Sequence, residues 1–162
     1  KIPFEVFGAT TTESRNPSTR GIFTRSNPIW YRHYKGWNDD WLRTGHCLAE
    51  SNSLNNNIDG ETIEFAAMRL AARKETRKII ISLCDGQPCG GESYATDKKL
   101  ERHLFDVCNK VRKSGTEIYC FGINTQEPAR FYGEKNYVML KSGAIGKGLA
   151  NSFVQIIERG KK

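Results

Sequence analysis

The segment Ile79-Ile80-Ile81-Ser82-Leu83-Cys84 is almost continuously apolar and rich in β-branched residues, and it runs directly into the turn sequence Asp85-Gly86-Gln87-Pro88. A strand without clear apolar/polar alternation is expected where both faces of a parallel sheet are covered. The reading is therefore a central strand whose carboxyl end holds a carboxylate at the rim of the sheet.

The flanking sequence extends this pattern. Asn55 to Glu61 opens a helix in which Ile63, Ala66, Ala67, Leu70 and Ala71 recur at helical spacing, predicting a helix to about Arg73. Acids near its start (Asp59, Glu61, Glu64) and bases near its end (Arg69, Arg73, Lys74) match the helix dipole. After a Gly-rich loop from Asp85 to Ala95, Leu100, Leu104, Val107, Cys108 and Val111 mark the buried stripe of a second helix, ended by Ser114-Gly115. Glu117–Ile123 and Tyr137–Leu140 read as further strands, with a short polar or helical piece at Pro128–Tyr132 between them. Ile145, Leu149, Phe153, Ile156 and Ile157 define a last helix. Strands alternating with amphipathic helices specify a doubly wound, mostly parallel α/β sheet with right-handed crossovers.

Near the start, Phe4 to Thr10 reads as an interior strand leading into Thr10-Thr11-Thr12. From about residue 13 to 54 the composition shifts to Ser, Asn, Pro, Arg and aromatics, which marks an insertion. It carries all three tryptophans, Trp30, Trp37 and Trp41, together with Tyr31 and Tyr34. Two readings fit: the rings pin the insertion to the domain as a satellite core, or Trp30, Tyr31 and Trp37 form an interaction surface. Rings interleaved with bases also suit single-stranded nucleic acid.

A length of 162 residues fits one domain, residues 1–162. No apolar run approaches the length of a membrane span. The chain starts at Lys1 without a signal-peptide pattern, as expected of a piece of a longer protein, and its five cysteines, an odd number, suit a reducing cytoplasm. The formal charge of +7 invites a polyanion partner. The bases are interleaved with acids along the helices, however, as on solvated faces or a protein-docking surface.

Ligands of open α/β sheets bind beyond the carboxyl ends of the strands. Thr10–Thr12, Asp85 and Asn124-Thr125 stand at such ends, and the helix start at Asn57–Asp59 can face the same edge. Asp85 has two readings: a ligand for a hard cation, or a carboxylate capping nearby N–H groups in an Asx turn. Other constellations are weak. His33, His46 and His103 are scattered, and His103 suits helix packing or the surface. His46-Cys47 with Cys84 and Cys89 matches no zinc-site spacing. No phosphate-binding P-loop and no Ser-His-Asp or Cys-His nucleophile arrangement occurs.

The run Asn57-Ile58-Asp59-Gly60-Glu61, Arg69-Leu70, the strand ending in Asp85-Gly86-Gln87-Pro88 and Leu100-Glu101-Arg102-His103-Leu104 come in one order. With Phe121-Gly122-Ile123, Arg130-Phe131-Tyr132 and Gly8 before Thr10-Thr11, they resemble the von Willebrand factor A-type domain of the CobT subunit of cobaltochelatase. The resemblance covers nearly the whole chain, with the insertion matching only loosely.

This resemblance implies a Rossmann-like sheet carrying a metal-ion-dependent adhesion site, where three loops surround Mg²⁺ and a partner's carboxylate completes its coordination. Asp85 matches the third-loop aspartate, and the second-loop position falls on Asn57 or Asp59. The first loop, Asp-x-Ser-x-Ser, is expected on a strand before Lys1, so the domain is expected to lack its first strand and to hold Mg²⁺ weakly by itself. Cys84 stands where the family usually has Ser. The implied function is a non-catalytic scaffolding domain that docks an AAA+ ATPase subunit and a large chelatase subunit in ATP-dependent cobalt insertion for cobalamin biosynthesis. The competing expectations are a nucleic-acid or polyanion module using Trp30–Trp41 and the basic helices, and a metal-dependent hydrolase.

Overall fold

The computed structural model describes residues 2–11, 29–50, 56–90 and 94–159. Thr12, residues 13–28 and 51–55 of the insertion, and residues 91–93 of the Gly-rich loop lie outside the described residues. The chain forms two compact units, Lys1–Asp59 with Pro88–Leu100, and Gly60–Gln87 with Glu101–Lys162.

In the first unit, β1 (Val6–Thr11) pairs antiparallel with β2 (Ile29–Lys35), placing Gly8 opposite Arg32 and Thr10 opposite Trp30, with a bulge between Val6 and Phe7. This corrects the expectation of an interior strand: among the described residues β1 has one neighbour, and that neighbour comes from inside the insertion. The reason lies in Ile29-Trp30-Tyr31-Arg32-His33-Tyr34-Lys35, whose rings and β-branched residue suit a pleated, half-buried surface despite Pro28 just before it. Tyr34 lies over the backbone of Gly8, where a Cβ would stand 3.1 Å from the Tyr34 ring and hydroxyl, so the small residue makes room for the large one.

Lys35 is buried, and its ammonium donates to the carbonyls of Phe4 and Gly36, each at 2.8 Å, while lying 4.2 Å from the Phe4 ring centroid. These contacts replace the water the cation loses on burial. Phe4 also packs against Trp41, the first residue of α1 (Trp41–Thr44), with centroids 5.9 Å apart. Asp40 caps α1 by accepting from Leu42 N, and a 3₁₀ segment, Gly45–Glu50, follows.

The second unit holds most of α2 (Asp59–Ala71), then β3 (Ile79–Cys84), most of α3 (Tyr94–Lys113), β4 (Glu117–Ile123), α4 (Ala129–Tyr132), β5 (Tyr137–Leu140) and α5 (Ile145–Glu158). The strands form a parallel sheet in the order β3-β4-β5. The strand, short-helix and last-helix assignments made from periodicity hold, and α2 ends within two residues of its expected limit.

Alternating residues divide the sheet between two cores. Ile80, Ile118 and Cys120 pack with Ile63 of α2, Leu104, Val107, Cys108 and Val111 of α3, and Phe131 and Tyr132 of α4. Tyr119 and Phe121 pack with Leu140 and Ile156, and Ile79, Ile81, Leu149 and Phe153 complete that side. Each buried aliphatic or aromatic side chain contributes about 1.5–3 kcal/mol, which explains why helices dock on both faces.

The position of β3 differs from the expectation. Among the described residues it pairs with β4 alone, and β4 is the central strand, buried from Ile118 to Gly122. Apolar side chains report whether the faces of a strand are covered, and β3 is covered on both by Ile80 and by Ile79 with Ile81. They carry no record of how many backbone edges are paired, and Leu83 near the strand end is 53% exposed.

Two further contacts lock this unit. Arg77 binds the Glu117 carboxylate through Nε at 2.6 Å and Nη2 at 3.1 Å, and donates to the carbonyls of Ile156 and Ile157 near the end of α5, where a cation complements the helix dipole. Gly122 lets β4 approach β5: a Cβ there would run into the Tyr137 hydroxyl and stand 2.8 Å from the Thr125 carbonyl oxygen. None of the five cysteines is in a disulfide. No helix among the described residues is long and apolar enough to cross a membrane.

Candidate functional site

β3 delivers its last residue, Cys84, to the carboxyl edge of the parallel sheet, and the chain bends there through Asp85, Gly86 and Gln87. The Asp85 side chain is exposed and makes no hydrogen bond or ion pair among the described residues. Among the described residues no bond supports the Asx-turn reading of this carboxylate.

The turn itself is held from the opposite side of the connection. Arg130, second residue of α4, donates from Nη2 to Gln87 Oε1 at 2.8 Å and pairs with Glu101 Oε1 at 3.0 Å and with Glu127 Oε2 at 3.5 Å. Its guanidinium also covers the Phe131 ring at 4.6 Å from the centroid. One side chain thus joins three of the motif segments singled out above: Asp85-Gly86-Gln87-Pro88, Leu100-Glu101-Arg102-His103-Leu104 and Arg130-Phe131-Tyr132. The sequence reading missed this role, because Gln87 lies 43 residues away and no local spacing points to it.

Asn124 and Thr125, proposed as another polar strand end, serve the local backbone. Asn124 has φ of +55° in the left-handed region, and its Oδ1 accepts from Ser142 N at 3.0 Å. Thr125 Oγ1 accepts from Glu127 N at 3.2 Å, and its carbonyl accepts from the Tyr137 hydroxyl. Burial raises the Tyr137 phenol above its ordinary value, with Cys120 and Cys84 adding to the effect, which keeps that hydroxyl a donor.

The other candidate residues lie in the first unit. Thr11 N and the hydroxyls of Thr10 and Thr11 all point to the carbonyl of Asn56, at 2.9, 3.4 and 3.3 Å. Asn57 exchanges backbone hydrogen bonds with Cys89, N to O at 3.2 Å and O from N at 3.0 Å. Its side-chain amide donates to Asp59 Oδ2 at 2.8 Å. Thr10, Thr11, Asn57 and Asp59 therefore form one connected polar group at the end of β1 and the start of α2. Trp30 is 55% exposed on β2, whereas Tyr31 packs edge-on to Phe7 at 6.0 Å and Trp37 is half-buried in the following turn.

Mg²⁺ takes oxygen ligands in near-octahedral geometry and usually keeps several waters on one or two carboxylates. Asp85 and Asp59 are donors of that class, yet no group of three or more His, Cys, Asp or Glu able to hold a metal occurs among the described residues. His103 is a packing residue, as its sequence context suggested: its ring fills the space beside Gly60, and Nε2 lies 3.7 Å from Glu64.

A three-stranded parallel sheet flanked by helices on both faces is consistent with a von Willebrand factor A (VWA) fold. A family model described as the cobalamin biosynthesis protein CobT VWA domain matches residues 3–159. No solved structure matches the chain. The matched span is nearly the whole sequence, and the chain belongs to the CobT VWA-domain family of cobalamin biosynthesis.

Proposed function

We propose that this domain is a non-catalytic docking module of a cytoplasmic cobaltochelatase, holding an AAA+ ATPase subunit and a large chelatase subunit together during ATP-dependent cobalt insertion. The observation that carries the reading is the Asp85 carboxylate, exposed at the end of β3 and without a partner among the described residues, on a turn that Arg130 clamps through Gln87. A ligand-binding group on a supported turn meets its partner without first losing loop entropy. In this reading Asp85 supplies one oxygen ligand to Mg²⁺, with Asp59 and Asn57 as the second-loop candidates, and water and a partner carboxylate supply the remainder. Trp30, Tyr31 and Trp37 belong to the partner-facing surface, whereas Thr10 and Thr11 are buried and support it by holding Asn56.

The test is retention of the ATPase subunit on the immobilised chelatase subunit, in Mg²⁺ and in chelator, for wild type and Asp85→Ala. Retention should fall at least about tenfold with either change, the loss of roughly 1.4 kcal/mol expected for a charged ligand at an interface. Equal retention by wild type and variant in Mg²⁺ would remove Asp85 from the interface.

A further inference from the structure

Cys84 and Cys120 stand on neighbouring parallel strands with their sulfur atoms 3.3 Å apart. Cys120 is in register with Ser82, so Cys84, two residues further along β3, faces the same side of the sheet as its diagonal neighbour. Their surroundings differ. Cys120 is fully buried in the core beneath α3 and α4, whereas Cys84 is half-buried at the last position of β3. Cys84, packed at the margin of the same core, is the less buried of the two residues, and Cys120 lies directly behind it.

We propose that Cys84 and Cys120 are an oxidisable dithiol that closes to an intramolecular disulfide when a hydroperoxide reaches Cys84. In the first step Cys84 Sγ attacks the outer peroxide oxygen. An S–O bond forms, the O–O bond breaks, and the thiol proton leaves with the departing oxygen as water or an alcohol, giving a sulfenic acid. In the second step Cys120 Sγ attacks Cys84 Sγ. The S–S bond forms, the S–O bond breaks, and the Cys120 proton departs with hydroxide as water. Two thiols have lost two electrons and the peroxide has gained them.

The sulfurs must approach by roughly 1.2 Å to reach the bond length of about 2.05 Å. A diagonal pair on adjacent strands closes under strain, and a strained disulfide is readily reduced, so the change is reversible by a dithiol. Closure ties the end of β3 to the middle of β4, next to Asp85. The modification stands on the sulfur geometry and is independent of the docking function.

The experiment exposes the purified, fully reduced chain to hydrogen peroxide, counts thiols, and maps the products after cleavage both before aspartate and after lysine and arginine, which together separate Cys84 from Cys89 and Cys108 from Cys120. The expected result is loss of two of the five thiols, a cross-linked peptide pair containing Cys84 and Cys120, and recovery of all five thiols with dithiothreitol. In Cys120→Ser, Cys84 should instead persist as a sulfenic acid that a 1,3-diketone captures. Over-oxidation of Cys84 to a sulfinic acid with Cys120 still a thiol in the wild type overturns the proposal. A cross-link through Cys47, Cys89 or Cys108 in place of either partner does the same. The wild-type map decides the matter even where the variant does not fold.

Discussion

Arg130 Nη2 donates to Gln87 Oε1 at 2.8 Å, so a guanidinium on α4 supports the turn that carries Asp85 at the end of β3. The same group pairs with Glu101, whose side chain is 14% exposed, and this shorter, less solvent-screened contact is the stronger of its two carboxylate pairs.

Replacing Arg130 with Ala should loosen this turn more than it destabilises the fold. The expected global loss is about 0.5–1.5 kcal/mol in urea unfolding, because the guanidinium is half-exposed and its ion pairs are partly screened. Backbone order parameters at Gly86 and Gln87 should fall, because the side-chain bond that holds the turn is gone. Order parameters at these two residues equal to wild type would show that the clamp does not order the turn.

Gly122→Ala should cost about 1–3 kcal/mol, because the added methyl collides with the Tyr137 hydroxyl and the Thr125 carbonyl in a close-packed strand pair. Tyr137→Phe removes the nearest of the three obstructing atoms, so the double variant should be more stable than the sum of the single losses. The Thr125 oxygen and the Tyr137 ring carbon each remain 2.8 Å from the new methyl, and recovery should be partial. A double-mutant cycle in denaturant measures the coupling; additive losses would contradict the collision with Tyr137.

The Glu117 carboxyl lies below its ordinary value of 4.5, first because Arg77 hydrogen-bonds to it and also because the Tyr119 hydroxyl does, with burial opposing. A lowered folded-state value means that stability from this group is present above the ordinary carboxylate value and is lost as pH falls through the folded one. The stability difference between wild type and Glu117→Gln should therefore shrink as pH is lowered from about 6 to about 3. A difference independent of pH over that window would mean that the Arg77 pair adds nothing through charge.

Much of the second unit was legible because its side chains repeat with the period of their element. Leu104, Val107, Cys108 and Val111 fall on one face of α3, and all four are buried where that stripe predicts. β3, β4 and β5 begin and end at the limits set by their apolar runs. The first unit was less legible. β2 lies in a segment dominated by Asn, Ser, Arg and two prolines, and its partner β1 is more than 20 residues distant in sequence for every pair in the register except those nearest the connection. The composition of the whole segment hid a strand that its own seven residues support.

The candidate site divides in the same way. Asp85 was marked by its place after an apolar strand, since that order alone sets a carboxylate at a sheet edge. The use of Asn124 to hold Ser142, and of Arg130 to hold Gln87, required the folded chain, because each contact joins residues from different connections.

The α/β class, the three parallel strands, the helical stripes and the strand end where Asp85 sits all follow from local order and periodicity along the chain. That β4 rather than β3 is the central strand of the described sheet, that β1 pairs with β2, and that Cys84 meets Cys120 are settled by folding. Backbone pairing and side-chain meeting between distant segments depend on three-dimensional proximity, and neither hydropathy nor spacing along the chain encodes it.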